Sequence, residues 1–589
     1  MMQMRKSTFA AIAAVLFAGA LRAQIQIPDT PAGRQLSAWL SAFNSGDRAT
    51  MQAFLEKNLP GRPVDAALAV REQTGGFDLK NVESSDATTI VALAQTRSDK
   101  QFVRISMSVA DAEPHQIAGI RMQPAQPPAG MAPPKMTAAQ AEEARKGVPF
   151  QQFSAWLEAF NSGDRNRLSD FLKANFPSRN LDADMNFRER TGGLELKALE
   201  QATATSLVGL VQERDSDQFG RFSIVVEAAE PHHITRLGIM AIARPTEFPV
   251  AHMNDAELVA ALRAKLEKDT ATDRFAGAVL LAKNGKVLYT GAYGLANREK
   301  GLPNKVDTQF RIGSMNKMFT AVAMLQLVQA GKLKLTDPMG KYITDYPNKD
   351  AAAKVTIHQL LTHTGGTGDI FGPDYSAHRL ELKTLNDYVA LFGKRAIAFE
   401  PGSRWEYSNY GMVLAGVVIE RVSGQSYYDY VAEHIYKPAG MTRTASEPES
   451  EAVADRSIGY MRAQGGGAWT PNTDTLPYRG TSAGGGYSTV GDLLKFAEAL
   501  MGHNLLNAEY TDLLITGKVD VGSGMRYAYG FEDGRKDGVG AVGHSGGAPG
   551  MNGDLRIYPK SGYVVAVLAN LDPPAAQQVW GFVDLRLTP

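Results

Sequence analysis

The chain has no cysteine among its 589 residues. That excludes disulfides, a thiol nucleophile, cysteine-ligated zinc and a lipid-modified N-terminal cysteine. The folded state must therefore rest on burial of its core. Net charge is also missing: 62 Lys and Arg are balanced by 62 Asp and Glu, and no long basic run occurs. The charge pattern gives no footprint for nucleic acid or another polyanion. No His-Glu-x-x-His, Walker loop or dinucleotide fingerprint appears, so the sequence implies neither metal nor cofactor. Past the first two dozen residues, no apolar run approaches membrane-spanning length.

The start of the chain reads as a secretory signal. Arg5 and Lys6 precede an apolar stretch from Phe9 to Leu21, and Ala18-Gly19-Ala20 and Leu21-Arg22-Ala23 offer small-residue cleavage sites. Residues 1–23 are expected to be a signal peptide, with an uncleaved anchor as the alternative. There is no twin-arginine pair, so general secretion is the simpler route. The expected destination is the periplasm or the exterior, with no stable membrane insertion after cleavage. The remainder, 44% hydrophobic and 21% charged, has globular composition and is long enough for several domains.

Two segments repeat at a constant spacing of 117 residues. Ser37-Ala38-Trp39-Leu40 to Asp47-Arg48 returns as Ser154-Ala155-Trp156-Leu157 to Asp164-Arg165. Thr74-Gly75-Gly76 returns as Thr191-Gly192-Gly193, and Glu113-Pro114-His115 as Glu230-Pro231-His232. Leu36, Trp39, Leu40 and Phe43 fall at i, i+3, i+4 and i+7, as do Phe153, Trp156, Leu157 and Phe160, which predicts a helix opening each unit. Asp47 and Asp164 are natural N-caps for a second helix. After Thr-Gly-Gly the pattern turns to strands, over 77–82, 88–95, 101–109 and 117–122 in the first unit. Each unit is thus a small α+β layer, residues 24–123 and 149–245, separated by a linker at 124–148 with five prolines between Gln123 and Pro134. The element order and the early Trp and Phe resemble cystatin-like or nuclear-transport-factor-like domains. That resemblance implies a targeting or dimerisation module, or a ligand pocket. His115, His232 and His233 read as turn or strand histidines.

The last segment, residues 250–589, carries the chemistry. Asn254 with Glu257 three places on marks a helix start. Strands over 276–283 and 286–293 flank Asn284-Gly285, a hairpin signal. A second hairpin, 555–558 and 563–570, surrounds Pro559-Lys560-Ser561-Gly562, and a closing helix runs from about Pro574 to Leu585. Between the hairpins lies Ser314-Met315-Asn316-Lys317 at the head of an apolar helix, with Gly331 at its C-terminal end. Residues i and i+3 share a helix face. A serine hydroxyl needs a base to become a nucleophile, and a lysine amine can be that base only if its surroundings hold it neutral.

In order along the chain stand Ser314-x-x-Lys317, Tyr407-Ser408-Asn409 and His544-Ser545-Gly546-Gly547. Leu361-Thr362-His363-Thr364-Gly365-Gly366, Phe399-Glu400-Pro401-Gly402, Ala483-Gly484-Gly485-Gly486-Tyr487 and Tyr529-Gly530-Phe531 accompany them. This set resembles the serine beta-lactamase-like hydrolases of the class C branch, with its carboxypeptidases, D-aminopeptidases and family VIII esterases. The resemblance implies a beta-lactamase/transpeptidase-like domain, an antiparallel sheet with a helical region. The chain as a whole is then a multi-domain α/β (α+β) protein. It also implies roles: Ser314 as nucleophile, Lys317 and Tyr407 sharing the base function, and Asn409 positioning Lys317 and substrate. His544 would contact substrate, and the N–H groups of Ser314 and Gly547 would form an oxyanion hole.

One position departs from the family pattern. Beta-lactamases usually carry Lys-Thr-Gly where this chain has His544-Ser545-Gly546. A histidine is mostly neutral at pH 7, which argues against fixed carboxylate recognition. The reading is a secreted or periplasmic serine hydrolase cleaving an ester or amide of a small-molecule or peptide substrate, cell-wall fragments among the candidates. The alternative is an inactive peptidoglycan- or ligand-binding protein on the same fold. Gly543-His544-Ser545-Gly546-Gly547 also spells G-x-S-x-G, but the α/β-hydrolase elbow needs a later histidine and a strand-to-helix turn, and no histidine follows Ser545. His363 is expected to have a structural role beside the site. Specificity is expected in the loops 367–380 and 461–482.

Overall fold

The structure, a computed structural model, describes residues 25–588 apart from 61, 98–101, 111–112, 126–135, 463–466 and 523. The expected signal peptide, the middle of the proline-rich linker and part of the 461–482 loop lie outside the described residues. The chain divides into two compact units.

The first unit contains two sets of elements in the same order. Helices Pro31–Ser45, Arg48–Asn58 and Val64–Thr74 precede strands Phe77–Ser85, Thr89–Thr96, Phe102–Val109 and Ile117–Pro124, which pair in chain order as an antiparallel meander. Helices Val148–Ser162 and Arg165–Asn175 precede the second meander, Leu194–Ala202, Ser206–Glu213, Phe219–Val226 and Ile234–Ile242; the helix Leu181–Thr191, which comes just before it in sequence, falls from Asp182 on in the second unit. Leu36, Trp39, Leu40 and Phe43 are buried, as the helical spacing demands. Asp47 caps the second helix by accepting from the Thr50 amide at 2.8 Å, and Asp164 does so from Asn166 at 2.8 Å. Asn44 bonds both backbone groups of Phe77, and Asn161 both of Leu194, which pins helix to first strand. The helices Val64–Thr74 and Leu181–Thr191 are absent from the sequence reading. Val64–Thr74 has no fully buried residue among those described, so no apolar stripe announces it. His115 and His232 donate from Nδ1 to the Ala110 and Glu227 carbonyls at 3.0 Å, as turn histidines do.

The second unit is built on an eight-stranded antiparallel sheet. Its strands are β1 (Gly277–Lys283), β2 (Lys286–Tyr293), β3 (Val519–Gly522), β4 (Met525–Tyr527), β5 (Glu532–Asp533), β6 (Val542–Ala548), β7 (Met551–Ile557) and β8 (Tyr563–Ala569). Their order is β2-β1-β8-β7-β6-β5-β4-β3. Asn284 and Gly285 both take positive φ, 49° and 76°, the two left-handed residues of a tight hairpin. Alternation along β1 splits the core. Val279 and Leu281 face one layer with Leu258, Leu262, Val579 and Val583 from the helices Asp255–Ala271 and Ala575–Asp584. Ala278, Leu280 and Ala282 face the larger layer, which includes the helices Asn316–Gln329, Asn409–Ser423 and Val490–Met501. Asn316–Gln329 is buried almost all round, so it is the central post of that layer.

Candidate active site

Ser314 sits in a 3₁₀ turn, Gly313–Met315, that runs straight into the helix Asn316–Gln329. The turn needs Gly313, whose φ is 53°. A Cβ there would also come within 3.0 Å of the Gly547 nitrogen. Gly547 belongs to β6, so the missing side chain lets that strand approach the residue next to the serine. Ser314 is half-buried, while Lys317 is fully buried.

Lys317 Nζ lies 3.1 Å from Ser314 Oγ and 2.7 Å from Asn409 Oδ1, and it donates to the Ala483 carbonyl. Burial pushes its pKa down to about 7, and the nearby Asp369 carboxylate opposes only part of that. A neutral amine has two N–H groups and one lone pair. Asn409 Oδ1 and the Ala483 carbonyl can only accept, so they take both hydrogens. The lone pair is left for the Ser314 hydroxyl.

Asn409 is the first residue of the helix Asn409–Ser423, and Ser408 is its cap, accepting from Gly411 N at 2.8 Å. This places Tyr407 just outside the helix. The Tyr407 side chain lies beside the Ser314 and Lys317 pair, with Lys317 Nζ 4.7 Å from its ring centroid. Burial raises the phenol's pKa, against the weaker opposing effect of the nearby Ser314 hydroxyl, so Tyr407 is a neutral phenol here. Asp369, from the loop 367–380, accepts from Asn409 Nδ2 at 3.0 and 3.2 Å.

His544 is placed one layer behind this group. Both its ring nitrogens are bonded within the protein: Nε2 to the Tyr527 hydroxyl at 3.0 Å and Nδ1 to the Ser545 carbonyl at 2.5 Å. The substrate-facing histidine expected from the sequence thus presents no uncommitted nitrogen. Tyr527 also bonds His363 Nε2 at 2.9 Å, and His363 Nδ1 accepts from the Ser408 amide at 3.2 Å. The Ser408 donor makes His363 donate to Tyr527, and with His544 held neutral by burial Tyr527 donates to His544 and His544 to the Ser545 carbonyl. Both imidazoles are neutral, burial pushing His544 down to about 4 and His363 well below its ordinary value. His363 has a left-handed backbone, φ 59°, fixed where its carbonyl accepts from the Glu406 amide at 3.0 Å.

Of the residues singled out by sequence, Ser314, Lys317, Tyr407 and Asn409 come into direct contact, Gly547 lies beside Gly313, and His544 supports them from behind. The sequence reading missed Asp369, Tyr527 and the Ala483 carbonyl as partners. Tyr527 stands two residues before the Tyr529-Gly530-Phe531 motif and Asp369 six after His363, so motif neighbourhood was the one available signal. Among the described residues, no group of three or more His, Asp or Glu is placed to hold a metal.

A protein-family model described as Beta-lactamase matches residues 260–586. The chain is 30% identical over 295 residues to "Putative penicillin-binding protein PbpX" of Bacillus subtilis (strain 168), covering 50% of this chain and 70% of that one. It is 33% identical over 226 residues to esterase EstB of Burkholderia gladioli, covering 36% of this chain and 57% of the esterase. Among solved structures it is similar to a penicillin binding protein from Bacillus halodurans, at 32% identity and TM-score 0.49, over 56% of this chain and 98% of that one. With the family match spanning more than half of its length, the chain belongs to the Beta-lactamase family.

Proposed function

We propose that the protein is a serine hydrolase that cleaves an ester or amide through an acyl-enzyme on Ser314. The observation that carries this reading is Lys317: buried, near neutrality at pH 7, and with its lone pair left for a hydroxyl 3.1 Å away. Lys317 takes the Ser314 proton as Oγ attacks the substrate carbonyl. The oxyanion is received by the N–H groups of Ser314 and Gly547. The Tyr407 phenol, neutral and beside Ser314 and Lys317, passes a proton to the departing alkoxide or amine and regains one from the Lys317 ammonium. Water then attacks the acyl-serine with the same pair returning its proton.

Neutral His544 supplies no cation at the third motif, which favours substrates lacking an obligatory carboxylate there. The similarity to a protein named as an esterase points the same way. The signal-like sequence pattern of residues 1–23 supports export to the periplasm or exterior; no described helix is long and apolar enough to cross a membrane. The two α+β sets of the first unit are proposed as cystatin-like targeting or dimerisation modules.

Intact-mass spectrometry after incubation with a fluorophosphonate, and separately with a penicillin, tests the acyl-enzyme. A single adduct is expected, lost in Ser314→Ala. Labelling by the fluorophosphonate alone supports the esterase reading. A folded protein that takes up neither reagent is instead a binding protein on a hydrolase fold.

A further inference from the structure

The loop that follows His363 contributes more than substrate contacts. Asp369 is fixed in place from several sides. Its carboxylate accepts from the Ile370 and Phe371 amides at 2.6 and 3.2 Å, and its carbonyl accepts from Arg395 Nη1 at 2.9 Å. Ser408, next to Asn409, bonds the Gly368 carbonyl and the Thr367 hydroxyl, which ties the loop to the Tyr407–Asn409 stretch. Both Asp369 oxygens face the Asn409 amide nitrogen. A carboxylate can only accept, so it forces Nδ2 toward itself and turns Oδ1 toward Lys317.

The direction of that amide matters because Lys317 has one lone pair. With Oδ1 facing it, Asn409 consumes an N–H of the amine. Rotated by half a turn, Asn409 would offer an N–H instead, and that donor would compete with the Ser314 hydroxyl for the lone pair. We propose that Asp369 is a positioning residue that locks the Asn409 amide and thereby reserves the Lys317 lone pair for Ser314. The inference rests on the acyl-enzyme reading above and adds a residue that touches neither the serine nor the lysine through a hydrogen bond.

Charge adds a second signature. The groups facing Lys317 are Asp369, the Tyr407 ring, and the neutral His363 and His544. Asp369 is the anion among them, and it holds the lysine pKa up. Removing its charge lowers that pKa further, so the neutral base persists to lower pH.

The test is the fluorophosphonate labelling rate of the full-length protein as a function of pH, for Asp369→Ala and Asp369→Asn, each alone and combined with Asn409→Ala. Asp369→Ala should lower the high-pH plateau by about tenfold to a hundredfold, the cost of a misplaced catalytic group. Its acid limb should move to lower pH. Asp369→Asn keeps an acceptor for Nδ2 without the charge, so it should recover part of the plateau while its limb stays shifted. With Asn409 already replaced by Ala, Asp369→Ala should lower the plateau no further. An unchanged plateau in Asp369→Ala, or a full additional loss in the Asn409→Ala background, overturns the inference while labelling of the parent protein upholds the acyl-enzyme. No labelling of the parent protein overturns both.

Discussion

Lys317 is the residue on which the chemistry turns, and its burial has two measurable consequences. The base is the neutral amine, present above a pKa of about 7. The labelling rate of Ser314 should therefore rise through pH 7 and level off above it. The same shift acts on stability. In the unfolded chain a lysine titrates near 10.4, roughly three units higher. Between those values the unfolded state binds the extra proton, so the native protein loses stability as pH falls from 10 to 7, by roughly 1.4 kcal/mol per unit. Below about 7 both states are protonated and the loss stops. The difference in urea midpoint between Lys317→Met and the parent should move in favour of the methionine variant across that window and stay level beneath it. Gly313 is the second such residue. In Gly313→Ala the left-handed backbone costs about 1–2 kcal/mol, and the new methyl meets the Gly547 nitrogen at 3.0 Å. Labelling should fall more steeply than the urea midpoint, because the contact lies at the proposed oxyanion site.

Three elements meet through Tyr527. It lies on β4, its hydroxyl accepts from His363 in the loop before the Tyr407–Asn409 stretch, and it donates to His544 on β6. Phenylalanine at 527 fills the same volume but leaves a buried donor on His363 and a buried acceptor on His544. The expected cost is about 1–3 kcal/mol in urea unfolding, with slower labelling because the two elements flanking Ser314 are no longer tied together. A urea midpoint equal to that of the parent would show that the hydroxyl carries no load. The relay also marks what the sequence could and could not disclose. Ser314 and Lys317 are readable because i and i+3 on a helix are neighbours by geometry alone. The contacts of His363 with Tyr527 and of Asp369 with Asn409 join residues 164 and 40 positions apart, and no local periodicity encodes them. Strands β3 to β5 escaped for a related reason: at four, three and two residues they are too short to show alternation.

The two units have separate cores, one of them around Leu36, Trp39 and Phe43 and the others on the two faces of the large sheet. Much of this architecture was legible because strong local signals coincide with it: the Asn284-Gly285 hairpin, the Asn254 capping box and the helical stripe of Leu36 to Phe43 each specify an element without reference to the rest of the chain. The pairing of β8 with β1, which closes the sheet across some 280 residues, is tertiary and left no trace in any local window. Separate cores without a single disulfide predict how the molecule melts. Each unit's stability comes from its own burial, so calorimetry should resolve two transitions. A phosphonyl group on Ser314 stays on the chain when it unfolds, and in the native state its contacts are confined to the unit that holds Ser314. The transition of the second unit should move on labelling, and that of the first should keep its temperature. In Ser314→Ala neither should respond to the reagent. A shift of both transitions in the labelled parent would mean that the units are energetically coupled, and that phosphonylation of Ser314 is felt in the first unit as well.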